Sequence, residues 1–119
     1  MQAVQTETVA EFDLGPLSWV QGEIDEALAR GLEALATFRS EPGDGAALKH
    51  ARAHVHQAAG AIQMVGLDAV AAFSDEIERQ LTRLEELPAG EVPAAVDRVD
   101  HAIARLRVFL ADVAGGAPP

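Results

Sequence analysis

The sequence predicts an all-α fold, an antiparallel up-down-up-down four-helix bundle, and three observations carry that expectation. Apolar residues recur at helical spacing in four successive blocks. The breaks between blocks are short, so consecutive helices must fold back as antiparallel neighbours. The composition leans on Ala, Leu and Val, with 4 Phe, 1 Trp and no Tyr, a balance that favours helix over sheet.

The first block runs through Leu17, Ile24, Leu28, Leu35 and Phe38. Gly15-Pro16 stands before it, and proline suits the first helical position because its missing N–H would have no intrahelical partner there. Ser40-Glu41-Pro42-Gly43-Asp44-Gly45 is a break. The second block holds Leu48, Ala51, Val55, Ala58, Ile62 and Val65, with Gly66 placed as its C-terminal cap. The third, after a very short turn, holds Val70, Phe73, Ile77, Leu81 and Leu84 and stops near Leu87-Pro88-Ala89-Gly90. In the fourth, Val92, Val96, Val99, Ile103, Leu106, Leu110 and Val113 alternate steps of four and three, the seam of a bundle. The bundle is expected over residues 13–114, after a loosely tethered lead at 1–12. The tail, 115–119, has the composition of a linker to further domains. Trp19, beside Leu17 and Val20, is expected to pack on the end of the bundle.

At 119 residues the chain is one domain. Its net charge of −10 argues against nucleic acid and anionic membranes as partners, since both demand a basic face. The absence of cysteine excludes disulfides and thiolate metal sites. Met1 to Glu11 carries no basic residue, and no segment approaches the roughly 20 apolar residues of a membrane span, so the chain is expected in the cytoplasm. There is no Gly-rich phosphate loop, and autonomous kinase activity is not expected.

The second block carries the chemistry. No acidic residue lies between Asp44 and Asp68, while that window holds Lys49, His50, Arg52, His54 and His56. At 100° per residue the apolar stripe centres near Val55 and Ile62, which leaves His56 on the exposed side with Lys49, Arg52, Gly60 and Gln63 on its flank and Gln57 beside it. Helical side chains lean toward the N-terminus, so anything larger than glycine at position 60 is expected to lean over the His56 ring. A mid-helix glycine costs roughly 1 kcal/mol relative to alanine, and an imidazole presented to a partner is a reason to keep one. His50 and His54, four apart, have a zinc-chelating spacing, but no Cys, Asp or Glu in this helix completes a ligand set. Glu76, Glu78, Glu85 and Glu86 read as a solvated face of the third helix.

His56-x-x-x-Gly60 followed by Gly66, on the second helix of a bundle, with Glu78 in a later helix, resembles a histidine-containing phosphotransfer (HPt) domain. The opening Phe12-Asp13-Leu14-Gly15-Pro16-Leu17-Ser18-Trp19-Val20 and the stretch from His56 to Asp68 are similar to the N-terminal HPt-like domain of chemotaxis-type hybrid kinases that control type IV pili and twitching motility. The resemblance covers about residues 12–87. It implies a phosphoryl carrier at His56, exchanging with an aspartate of a response-regulator receiver domain that supplies its own magnesium, and kinase or scaffold domains as further partners. No cofactor of this chain's own is implied. One position departs from the pattern: HPt domains usually carry Lys or Arg three residues after the histidine, and here that residue is Ala59. A basic side chain there would make a charge-assisted contact with the phosphoryl oxygens. Two functions are therefore weighed, phosphotransfer at His56 and a non-catalytic adaptor that docks a receiver through the same face; a plain structural bundle is the third reading.

Overall fold

The computed structural model describes the backbone of residues 4–114 and the side chains of residues 17–114. Four helices follow one another: α1 (Val4–Ser40), α2 (Gly45–Met64), α3 (Asp68–Arg83) and α4 (Val92–Ala114), with short 3-10 turns at Leu84–Glu86 and Ala89–Glu91 between the last two. α1 packs on α2 and α4, and α3 packs on α2 and α4. This is the all-α bundle that the four apolar blocks imply. The linker-like tail at 115–119 lies outside the described residues.

The connections have identifiable chemistry. Asp44 caps α2, its Oδ1 accepting the Ala47 N–H at 3.1 Å. At the other end the Leu67 N–H donates to the Ile62 carbonyl at 3.5 Å and the Gly66 N–H to the Gln63 carbonyl at 3.0 Å, the paired bonds of a Schellman motif. Gly66 has φ +84°, and a Cβ there would meet nothing within 4 Å. Its cost to any other residue is therefore conformational rather than steric crowding by the fold. Gly66→Ala is expected to lower stability by about 1 kcal/mol with an unchanged m-value in urea unfolding.

Every stripe residue of the first, second and fourth blocks is buried, so the sequence periodicity locates three of the four core faces. The third differs. On α3 the core face is Ala71, Ser74, Ile77 and Leu81, continued by Leu84, while Phe73 is 45% exposed and Val70 half-buried. Ser74 can serve as a core residue because its hydroxyl donates to the Val70 carbonyl at 3.0 Å and leaves no unpaired donor.

Two further expectations are corrected. α1 is helical from Val4, so Pro16 is an interior residue rather than the first helical one. An interior proline removes one backbone hydrogen bond and crowds the preceding turn, and the helix runs through position 16 nonetheless. Trp19 does not pack on the bundle: it is 90% exposed. It lies two residues, about 200°, from the core residue Leu17, which turns it outward.

Ion pairs tie the outer helices together. Arg107 on α4 makes a fork with Asp25 on α1, Nε to Oδ1 at 2.8 Å and Nη2 to Oδ2 at 3.0 Å. The hydrogen bonds from Arg107 hold the Asp25 carboxyl below the usual carboxylate range. Arg39 pairs with Asp97 at the opposite end of the same helix pair. No helix among the described residues is long and apolar enough to cross a membrane.

Candidate functional site

The site is built on the exposed side of α2. His56 presents a side chain that is 78% exposed, with Lys49, Gly60, Gln57 and Gln63 also at the surface. Arg52, one turn before His56, is partly covered because its Nη1 pairs at 3.3 Å with Oε1 of Glu85, in the 3-10 turn that follows α3. Ala59 does not join this face. It is 5% exposed, since position 59 lies about 60° from His56 toward Val55 and Ile62 and therefore turns into the helix seam.

A carboxylate from α3 meets the imidazole. His56 Nδ1 lies 2.9 Å from Oε2 of Glu78. A carboxylate only accepts, so Nδ1 carries the proton and donates it, which in the neutral ring leaves Nε2 as the nitrogen with a free lone pair. Only about a quarter of the Glu78 side chain is exposed, whereas the ring it holds projects into solvent. The contact favours one tautomer of the neutral ring and holds its orientation while most of the side chain stays open to solvent.

Glu78 is named in the resemblance, but the sequence pattern gave it no part in the site. Read as part of a solvated acidic face, it instead sits one residue beyond the core residue Ile77, on the flank of α3 that faces α2. Glu85, seven residues on in the 3-10 turn that follows α3, holds Arg52. Antiparallel packing explains the pairing: the later carboxylate meets the earlier residue of α2. Glu76 belongs to the opposite flank, where its Oε1 accepts from Arg79 at 2.7 Å and its Oε2 from Gln80 at 2.7 Å. Hydrogen bonds from Gln80 and then Arg79 lower its pKa. Glu86 remains an exposed residue. The available signal was the spacing of Glu78 and Glu85 read against the true core stripe, and that stripe was obscured by Phe73.

Gly60 also needs restating. A Cβ at this position would meet nothing within 4 Å, the His56 ring included. An alanine methyl would therefore leave the ring uncovered, and only a longer side chain would reach it. Nothing in the packing of the bundle demands glycine here. Gly60→Ala is accordingly expected to raise stability by roughly 0.5–1 kcal/mol, read from the urea midpoint.

His50 and His54 point elsewhere on α2; the Cβ of His54 lies near Gly31 of α1. Among the described residues no group of three or more His, Cys, Asp or Glu side chains is placed to hold a metal ion.

A family model described as the Hpt domain matches residues 17–109 of the chain. That span runs from Leu17 on α1 to the last turns of α4 and includes His56, Gly60 and Glu78. No curated protein and no solved structure matches the chain.

Proposed function

The chain belongs to the Hpt domain family, whose members carry phosphoryl groups in two-component phosphorelays, and from that premise we propose that His56 is the phosphoacceptor and Glu78 its positioning residue. The observation that supports this reading most is the 2.9 Å contact between His56 Nδ1 and Glu78 on a ring that is otherwise open to solvent.

Nε2 of the neutral imidazole attacks the phosphorus of a receiver aspartyl phosphate in line with the leaving carboxylate oxygen. The N–P bond forms as the P–O bond breaks, and the aspartate departs as a carboxylate. The ring keeps its Nδ1 proton and becomes a phosphoimidazolium. Its positive charge develops beside the Glu78 carboxylate, which stabilises it through the hydrogen bond already in place. Reversal of the same step returns the phosphoryl group. The receiver supplies the divalent metal for the phosphoryl oxygens, and this chain contributes position, tautomer and access. It acts as a carrier and not as an autonomous kinase.

Ala59 withholds the basic contact usual in the family, and burial of that position means that no charged side chain from it steadies the phosphoryl oxygens here. A single charge-assisted contact of this kind is worth on the order of 1.5–3 kcal/mol. Its loss slows transfer without removing the nucleophile. The exposed, nearly acid-free surface of α2 suits docking to the acidic pocket of a receiver. Lys49, Arg52, Gln57 and Gln63 form the docking surface around the ring, and the open space over Gly60 admits the partner.

The finer setting rests on the resemblance of the opening segment to chemotaxis-type hybrid kinases of type IV pilus systems. This reading takes the domain to work in the cytoplasm, with receiver, kinase and scaffold domains as its partners. The side chains of Phe12 to Pro16, which carry part of that resemblance, lie outside those described.

The test mixes the chain with phosphorylated receiver domains from its own organism and follows acid-labile label together with binding. Label on the wild type, with both label and binding reduced at least tenfold in Gly60→Leu, is the expected result. Binding that is blocked by Gly60→Leu but never accompanied by label would establish the adaptor reading instead.

A further inference from the structure

The α3–α4 side of the bundle carries an open apolar groove away from the His56 site. Its walls are Val70 and Phe73 on α3 and Leu106 and Phe109 on α4, with Arg105 over one end. The groove continues along the same helix pair past Ala102 to Arg98, with Gln80 and Glu76, whose carboxylate is held by Arg79 and Gln80, on its α3 wall. Phe73 is 45% exposed and Phe109 40%, while Val108 on the outer rim is 62% exposed. Large apolar side chains lying together on a small domain's surface mark an interaction surface more often than isolated exposure does.

Charge identifies what would cover it. The chain has 9 basic against 19 acidic residues, and five of the arginines are engaged in ion pairs among the described residues: Arg30, Arg39, Arg52, Arg79 and Arg107. Arg98 and Arg105 have no such partner among the described residues. They stand seven residues apart on one flank of α4, about 10 Å along the helix, and both border the apolar groove. A second copy seated symmetrically on this face would bring the same arginines toward each other, which disfavours a self-dimer there.

We propose that the α3–α4 groove docks an acidic amphipathic helix of a partner protein, its apolar face against Phe73 and Phe109 and two carboxylates, two helical turns apart, on Arg98 and Arg105. Seven residues of any α-helix span the same rise, so one helix laid along the groove meets both guanidinium groups in register. The surface is separate from the phosphoacceptor, and a partner held there leaves His56 open to a receiver.

The probe is a stapled 15-residue helical peptide with Leu at positions 1, 4, 8 and 11 and Glu at positions 5 and 12, titrated into the isotope-labelled protein by NMR. Expected are saturable shifts at Phe73, Ala102, Arg105 and Phe109. The affinity should fall about tenfold or more in Arg98→Glu/Arg105→Glu, and similarly when the peptide carries Lys in place of its Glu. Phe109→Ser should weaken binding while leaving the His56 region of the spectrum unchanged. Equal binding of the Glu and Lys peptides, or shifts that avoid the groove, would overturn the proposal. So would a concentration-dependent dimer in sedimentation that Phe109→Ser dissolves, because the groove would then belong to a second copy.

Discussion

His56→Gln is expected to reduce receiver-dependent, acid-labile phosphate on this domain to background, a loss of more than about a thousandfold, because it removes the attacking nitrogen itself. The fold should not follow. The side chain is 78% exposed, so the change in stability is expected within about 0.5 kcal/mol. His50, His54 and His101 remain in that variant as internal controls. Among the described residues none of them has the carboxylate partner that His56 has, and none is expected to accept the phosphoryl group in its place. Label that persists in His56→Gln and maps to another histidine would move the site.

Glu78→Gln should slow transfer by about 10-fold to 100-fold while receiver binding stays near the wild-type value. The amide oxygen can still accept the Nδ1 proton, so the substitution tests charge more than geometry. Glu78→Ala removes both and should be slower still. The reason is electrostatic: the ring gains positive charge as the N–P bond forms, and only a carboxylate at 2.9 Å compensates it. The separation of effects is what distinguishes a positioning residue from a structural one, since a merely misfolded or misdocked variant would lose binding in proportion to rate. Rapid-quench measurement of the transfer rate at saturating receiver, beside an independent binding titration, reads the two separately.

Much of the fold is legible in the sequence because apolar spacing reports burial directly. The fourth helix shows this best, where every residue from Val92 to Val113 in the four-and-three pattern is buried. The Gly66 cap is legible for a different reason: a left-handed residue at a helix end is a local requirement and needs no tertiary information. The third helix was less legible, because small residues do the packing. Ala71 and Ser74 face the core there, and the larger Phe73 lies on the flank that looks toward α4. Size and hydrophobicity therefore located Ile77, Leu81 and Leu84 but set the first turns of the stripe, Val70 and Phe73, off the core face.

The same displacement explains how far the site could be read. His56, Gly60 and the weakly acidic surface around them are properties of one helix and follow from its own periodicity. Glu78 and the Arg52–Glu85 pair depend on how α3 is rotated and in what register it meets α2, which is tertiary information. Ala59 illustrates the limit from the other direction. Its identity is visible in the sequence, but its burial follows from the tilt of the seam, and with it the conclusion that this position contributes nothing to the docking face.

Nitrogen-resolved NMR of the His56 ring, recorded before and after incubation with a phosphorylated receiver, is the most direct measurement. Before phosphorylation the proton should be found on Nδ1, and afterwards the phosphoryl group on Nε2 with the Nδ1 proton retained. An unprotonated Nδ1 in the starting protein, a phosphoryl group on Nδ1, or an unmodified ring after exposure to every receiver that binds the domain would contradict the assignment of His56 as an acceptor held by Glu78.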